Sequence, residues 1–81
     1  MRIRVKLFAG ARELAGQQEV ALELASTASV ADLRTELQVQ CPALRPLLQH
    51  TLFAINANYA SDDTILSDGA EIACIPPVSG G

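Results

Sequence analysis

The chain has 81 residues, 49% of them hydrophobic and only 4% aromatic, so the expectation is one small domain with an aliphatic core rather than two domains. The net charge is −3 and the six basic residues are scattered, which argues against a nucleic-acid surface. No apolar run approaches the roughly 18 residues of a membrane span, and the start Met1-Arg2-Ile3-Arg4-Val5-Lys6 lacks the apolar stretch of a signal peptide, so a cytoplasmic location is expected.

Residues Arg2 to Ala9 alternate strictly. Ile3, Val5, Leu7 and Ala9 share one face, and Arg2, Arg4, Lys6 and Phe8 share the other, the pattern of a half-buried strand. Phe8 is the anomaly, a large apolar residue on the charged face. Gly10 is expected to break the strand, and Ala11 to Ala15 to form one or two helical turns closed by Gly16. Glu19 to Leu24 alternate again, and the short link from Gly16 makes them the antiparallel neighbour of the first strand. Ser29-Val30-Ala31-Asp32 reads as a capping box with Asp in place of the usual Glu. Val30, Leu33, Leu37 and Cys41 follow at helical spacing, with Arg34, Glu36 and Gln38 opposite, so an amphipathic helix of about three turns is expected to stop before Pro42.

The stretch from Pro42 to His50 suggests an irregular segment with one helical turn under the sheet. Leu52 to Asn56 form the third strand, with Phe53 and Ile55 inward. Ala57 to Asp63 supply a turn and a short edge strand, and Ser67-Asp68-Gly69 is a second turn. Ala70 to Ile75 make the last strand, with Ile72 and Cys74 inward and Glu71, Ala73 and Ile75 outward. This order predicts an α+β fold: one mixed sheet, a helix across one face, and the first and last strands parallel at its centre. Parity then places Phe8 and Ile75 together on the open face, where large apolar groups would mark a docking surface.

Cys41 and Cys74 have no metal-type spacing and read as buried apolar thiols, and His50 lacks neighbours at ligand spacing. No metal site is expected, and no acid–base constellation or phosphate-cradling glycine loop is present. After the last strand, Pro76 and Pro77 end the ladder because proline has no N–H to give. Val78-Ser79-Gly80-Gly81 then extend roughly 13–14 Å at full stretch. The expected division is a domain over residues 1–77 and a tail over 78–81, slender enough to thread a tunnel and present a carboxylate.

These residues identify a resemblance. The opening strand into Phe8-Ala9 with Arg12-Glu13-Leu14, the helix start Ser29 to Arg34, the strand Ala54-Ile55-Asn56, the Leu66 to Ile72 turn and the end Ile75-Pro76-Pro77-Val78-Ser79-Gly80-Gly81 together resemble the small, sulfur-carrying subunits of molybdopterin synthase, which have the ubiquitin-like β-grasp fold. The likeness spans the whole chain, and the terminal Pro-Pro-Val-Ser-Gly-Gly is its most specific part. Two departures from the family stand out. Ala70 stands where an acidic residue is common, and Cys74-Ile75 where aromatic residues are frequent, which bears on docking and not on chemistry.

The resemblance implies a mechanism. A carboxylate is a poor electrophile because its leaving group would be oxide. An ATP-using, E1-like adenylating enzyme therefore converts the Gly81 carboxylate to an acyl-adenylate, and sulfur from a cysteine desulfurase or rhodanese-like donor replaces AMP. Gly81 ends as a thiocarboxylate. The tail then enters the large synthase subunit and delivers sulfur to a cyclic pterin precursor, building the dithiolene of molybdopterin. Gly80 and Gly81 present no Cβ to a tunnel wall. Ser79 either hydrogen-bonds the tunnel or is a polar spacer, and Pro76 and Pro77 stiffen the root of the tail. Phe8, Arg12 and Ile75 are the expected partner contacts. No cofactor is bound tightly, catalytic groups are expected on the large subunit, and a heterotetramer is implied. Three alternatives stay open: a sulfur carrier for thiamine, tRNA thiolation or cysteine synthesis, a ubiquitin-like modifier joined to lysines through Gly81, and an interaction domain whose tail is inert.

Overall fold

A computed structural model, which describes residues 1–77, arranges the alternating segments as one five-stranded sheet in the order β2-β1-β5-β3-β4. The strands are β1 (Arg2–Leu7), β2 (Glu19–Glu23), β3 (Leu52–Ile55), β4 (Asn58–Ala60) and β5 (Glu71–Ile75). β1 pairs antiparallel with β2 and parallel with β5, and β3 pairs antiparallel with both β5 and β4. The expected central pair of first and last strands is therefore present. The register carries the parity across the sheet. Val5 stands opposite Val20 and Ile72, and Cys74 opposite Leu7 and Phe53, so inward positions meet inward positions.

The inner face is covered by α1 (Ala9–Ala15), α2 (Val30–Gln40), a 3₁₀ turn at Pro42–Leu44 and α3 (Arg45–Leu48). Ile3, Val5, Leu7, Leu22, Phe53, Ile72 and Cys74 from the sheet pack with Val30, Leu33, Leu37, Leu44 and Leu48 from the helices in one core. Each such aliphatic side chain contributes roughly 1.5–3 kcal/mol when fully buried. The capping box forms as read. Asp32 N–H donates to the Ser29 hydroxyl (3.3 Å), and Ser29 N–H donates to the Asp32 carboxylate (2.9 Å). α2 ends at Gln40, ahead of Pro42.

Three expectations change. The first strand stops at Leu7 instead of running to Ala9, because Phe8 already caps α1. Gly10 does not break the strand; it lies inside α1, and Ala9 takes the left-handed turn with φ 48°. That conformation costs an L-residue roughly 1–2 kcal/mol. Gly16 does close the helix, at φ 71°, with its N–H donating to the Arg12 carbonyl (3.0 Å). Arg34 is the third change. Helical spacing puts it opposite the apolar face of α2, but its guanidinium turns in over the Phe53 ring, 4.9 Å from the centroid. It donates to the Leu48 carbonyl, to the Thr51 carbonyl (2.8 Å) and to Asp62 (2.9 Å). The Leu48 carbonyl at the end of α3 also accepts from the Thr51 N–H (3.4 Å), so Arg34 gives it a second donor and serves the Thr51 carbonyl in the link that follows.

Among the described residues, no helix is long and apolar enough to cross a membrane. Arg34→Met keeps the unbranched apolar stem but orphans the Thr51 carbonyl and removes one of the two donors to the Leu48 carbonyl, so it should destabilise the fold by about 1–3 kcal/mol. Asp62→Asn should cost under about 1 kcal/mol, because the Asp62 side chain is 55% exposed and its ion pair is screened. Denaturant unfolding of the two variants measures the difference.

Candidate functional site

The outer face of the sheet carries no helix, and its residues divide by chemistry. On one side, β1 projects Arg2, Arg4 and Lys6. In register, Arg2 stands opposite Glu23, Lys6 opposite Glu19, and Arg4 opposite Glu71. Opposite charges in facing positions make this half close to neutral. On the other side, β5, β3 and β4 bring apolar residues together. Leu52 stands opposite Ile75, Ala54 opposite Ala73 on one flank and Tyr59 on the other.

The turn between β3 and β4 sets that second alignment. Asn56 and Ala57 both have positive φ, 49° and 72°, which matches the right-handed twist of a two-residue hairpin. Asn56 also ties the turn to β5: its N–H donates to the Glu71 carbonyl (2.9 Å), and its Oδ1 accepts from the Glu71 N–H (3.0 Å). With Ile55 paired to Asn58, Tyr59 falls on the outer face.

Phe8, Ala54, Ala57, Tyr59, Ala73 and Ile75 line a shallow apolar hollow of about 420 Å³. Phe8 is 45% exposed, Leu52 55% and Tyr59 71%. On its other side, Phe8 lines a depression of about 220 Å³ with Lys6, Arg12, Gln18 and Glu19. The three residues expected to contact a partner therefore meet around one ring. Phe8 shares the apolar hollow with Ile75 and the polar depression with Arg12. Pro76, directly after β5, is buried, and Pro77 is exposed. Val78, Ser79, Gly80 and Gly81 lie outside the described residues.

Sequence parity found Phe8 and Ile75 but missed Tyr59 and Leu52. The available signal was the hairpin itself: a two-residue turn at Asn56-Ala57 forces Tyr59 opposite Ala54, and hence onto the face of Ala73.

Neither thiol of the described chain is a ready nucleophile. Burial pushes the Cys74 thiol from an ordinary 9.0 up to about 11, only partly countered by the Arg34 charge. Burial also raises Cys41. Both stay protonated at neutral pH, so neither offers the thiolate that attack or metal binding requires. Among the described residues, no three His, Cys, Asp or Glu side chains group as metal ligands.

Residues 5–81 match the family model described as the ThiS family. The chain is 41% identical over 83 residues to a molybdopterin synthase sulfur carrier subunit of Chlamydomonas reinhardtii, with all of both chains covered. Its fold superposes on SAMP1, small archaeal modifier protein 1, of Haloferax volcanii with a TM-score of 0.87, 31% identity and full coverage of both. It also superposes, with a TM-score of 0.71, 27% identity and full coverage of both chains, on a chain from the complex of subunits 1 and 2 of molybdopterin-converting factor of Helicobacter pylori.

The Cys74 thiol generates a pH prediction. A folded-state pKa raised above the unfolded value gives stability that is complete below about pH 9 and is lost as pH rises through about 11. Unfolding free energy measured from about pH 8 to about pH 11 should fall steeply for the native chain. The slope should be shallower in Cys74→Ala.

Proposed function

The chain belongs to the ThiS family and, within it, to the molybdopterin synthase sulfur carrier subunits, and on that footing we propose that Gly81 carries the sulfur as a C-terminal thiocarboxylate. The observation that carries this reading is the course of β5. It runs through the middle of the sheet and delivers the chain into Pro76-Pro77 beside the apolar hollow. A partner docked on Phe8, Tyr59 and Ile75 would receive whatever follows Pro77. The two thiols give independent support. A carrier using a cysteine persulfide needs an accessible thiolate, and Cys74 is fully buried and protonated. The carboxyl group of Gly81 remains as the attachment point.

The chemistry then divides between proteins. The Gly81 carboxylate attacks the α-phosphorus of ATP in an adenylating partner and releases pyrophosphate. A persulfide sulfur of the donor displaces AMP to form an acyl disulfide, and a second thiol then takes the donor's own sulfur as a disulfide and leaves –C(O)S⁻. In the large synthase subunit this sulfur passes to a cyclic pterin precursor and the carboxylate returns. Val78, Ser79 and Gly80 act as the reach of the tail, and the prolines limit the freedom lost on insertion. The likeness to a chain from a two-subunit molybdopterin-converting complex supports the large subunit as partner. The nucleotide and the acid–base groups belong to the partners, and the cytoplasm, with ATP and reduced thiols, is the compartment that suits this traffic.

A second reading has one specific observation in its favour. The likeness to small archaeal modifier protein 1 supports attachment to lysines through Gly81, which begins from the same adenylate.

Two experiments bear on these readings. Incubation with the adenylating enzyme, ATP and a sulfur source should raise the intact mass by the replacement of one oxygen with sulfur, and a chain lacking Gly81 should show no gain. Absence of a gain with a competent enzyme, together with lysine conjugates in extract, would favour the modifier. In titration calorimetry against the large subunit, Ile75→Asp should weaken binding about tenfold or more while the domain stays folded. Unchanged affinity would remove the hollow from the docking surface.

A further inference from the structure

Building on the docking reading above, we propose that Ala9 is a positioning residue: its methyl group confines the junction between β1 and α1 so that the Phe8 ring stands ready on the docking face. The motivating observation is a mismatch between residue type and backbone. Ala9 sits at φ 48°, in the left-handed region, although a glycine follows at once. Gly10 is not among the positive-φ positions and takes up a place inside α1. A chain built only for an easy turn would carry the glycine one position earlier.

The surroundings impose the conformation. Leu7 and Ala11 are both buried, so the chain must turn from strand to helix in the three residues between them. The backbone of Phe8 is held on both sides. Its N–H donates to the Cys74 carbonyl (3.3 Å), continuing the contact of β1 with β5. Its carbonyl accepts from the N–H groups of Ala11 (3.1 Å) and Arg12 (3.4 Å), opening α1. Strained backbone persists only where neighbours over-determine it in this way.

The consequence lies in the width of the basin. An L-residue has a small left-handed region, φ about 50–70° and ψ about 30–60°. Glycine at the same position ranges far more widely. With alanine, the direction in which the chain leaves Phe8 is narrowly set, and so is the placement of its ring between the apolar hollow and the Arg12 depression. With glycine, the ring and Arg12 would have to be ordered when the partner arrives, at a cost in affinity.

The test uses the full chain and the large synthase subunit, with three variants: Ala9→Gly, Phe8→Ala and Gly10→Ala. The last is the control, because a Cβ on Gly10 meets only Leu47 Cδ1 at 3.7 Å, an ordinary contact. Ala9→Gly should melt at or above the native temperature, show lower amide order parameters at residues 8–10, and bind about three- to tenfold more weakly. Gly10→Ala should bind as the native chain does, and Phe8→Ala should bind more weakly. Native affinity in Ala9→Gly beside weakened Phe8→Ala would overturn the role of Ala9 and leave the docking surface intact. A lower melting temperature in Ala9→Gly with unchanged order at Phe8 would also overturn it, since Ala9 would then serve the fold alone. Native affinity in Phe8→Ala would overturn the docking surface and this inference together.

Discussion

Everything near the candidate site hangs on β5 being held from both sides. Its backbone bonds run to β1 on one flank and to β3 on the other, while Ile72 and Cys74 anchor it in the core. A strand so placed opens only when much of the sheet opens, so its end is among the last parts of such a domain to fray. The chain passes from there into Pro76, which is buried, and Pro77, which is exposed. The same two flanks bring Phe8, from just beyond β1, and Leu52 and Ala54, from β3, to the outer side of Ile75 and Ala73. One topological fact thus positions both the end of β5 and the surface beside it.

The sheet has one covered and one bare face, and the bare face is not uniform. Where β1 meets β2, opposite charges face one another and keep the surface wet and nearly neutral. Beside the hollow, the outward residues of β5, β3 and β4 are apolar; Leu52 and Tyr59 are more than half exposed, Phe8 is 45% exposed and Ile75 is partly buried. A standard interface buries about 800 Å² on each partner. In the proposed docking the hollow would form the apolar centre of such an area, and Arg12 with the charged flank its polar rim.

The interior shows how a chain poor in aromatics still specifies one packing. Phe53 is the single aromatic in the core, and Arg34 lies over it while also satisfying the carbonyls at the end of α3. That one side chain links α2, α3, β3 and the segment carrying Asp62. It lies over Phe53 on the covered side of the sheet, so it belongs to the fold and not to the proposed docking surface. Cys74 is likewise structural at its side chain, though its carbonyl anchors Phe8.

Much of this was legible in the sequence, because its signals are local. The period-two alternation of β1, β2 and β5, the capping box at Ser29, the stop before Pro42 and the pairing of first with last strand all follow from neighbours close along the chain or from the order of elements. The parity that put Phe8 and Ile75 on one face is of the same kind. What only the tertiary structure decided involves residues distant in sequence competing for one place. Burial of Leu7 and Ala11 together forces Ala9, and not Gly10, into the left-handed turn. The Leu48 and Thr51 carbonyls, with the Phe53 ring, draw Arg34 off the solvent face of its own helix. The Asn56-Ala57 turn, tied to Glu71, decides that Tyr59 joins the open face. In each case the local preference was outweighed by a buried contact or a hydrogen bond supplied from elsewhere in the chain, which no window along the sequence contains.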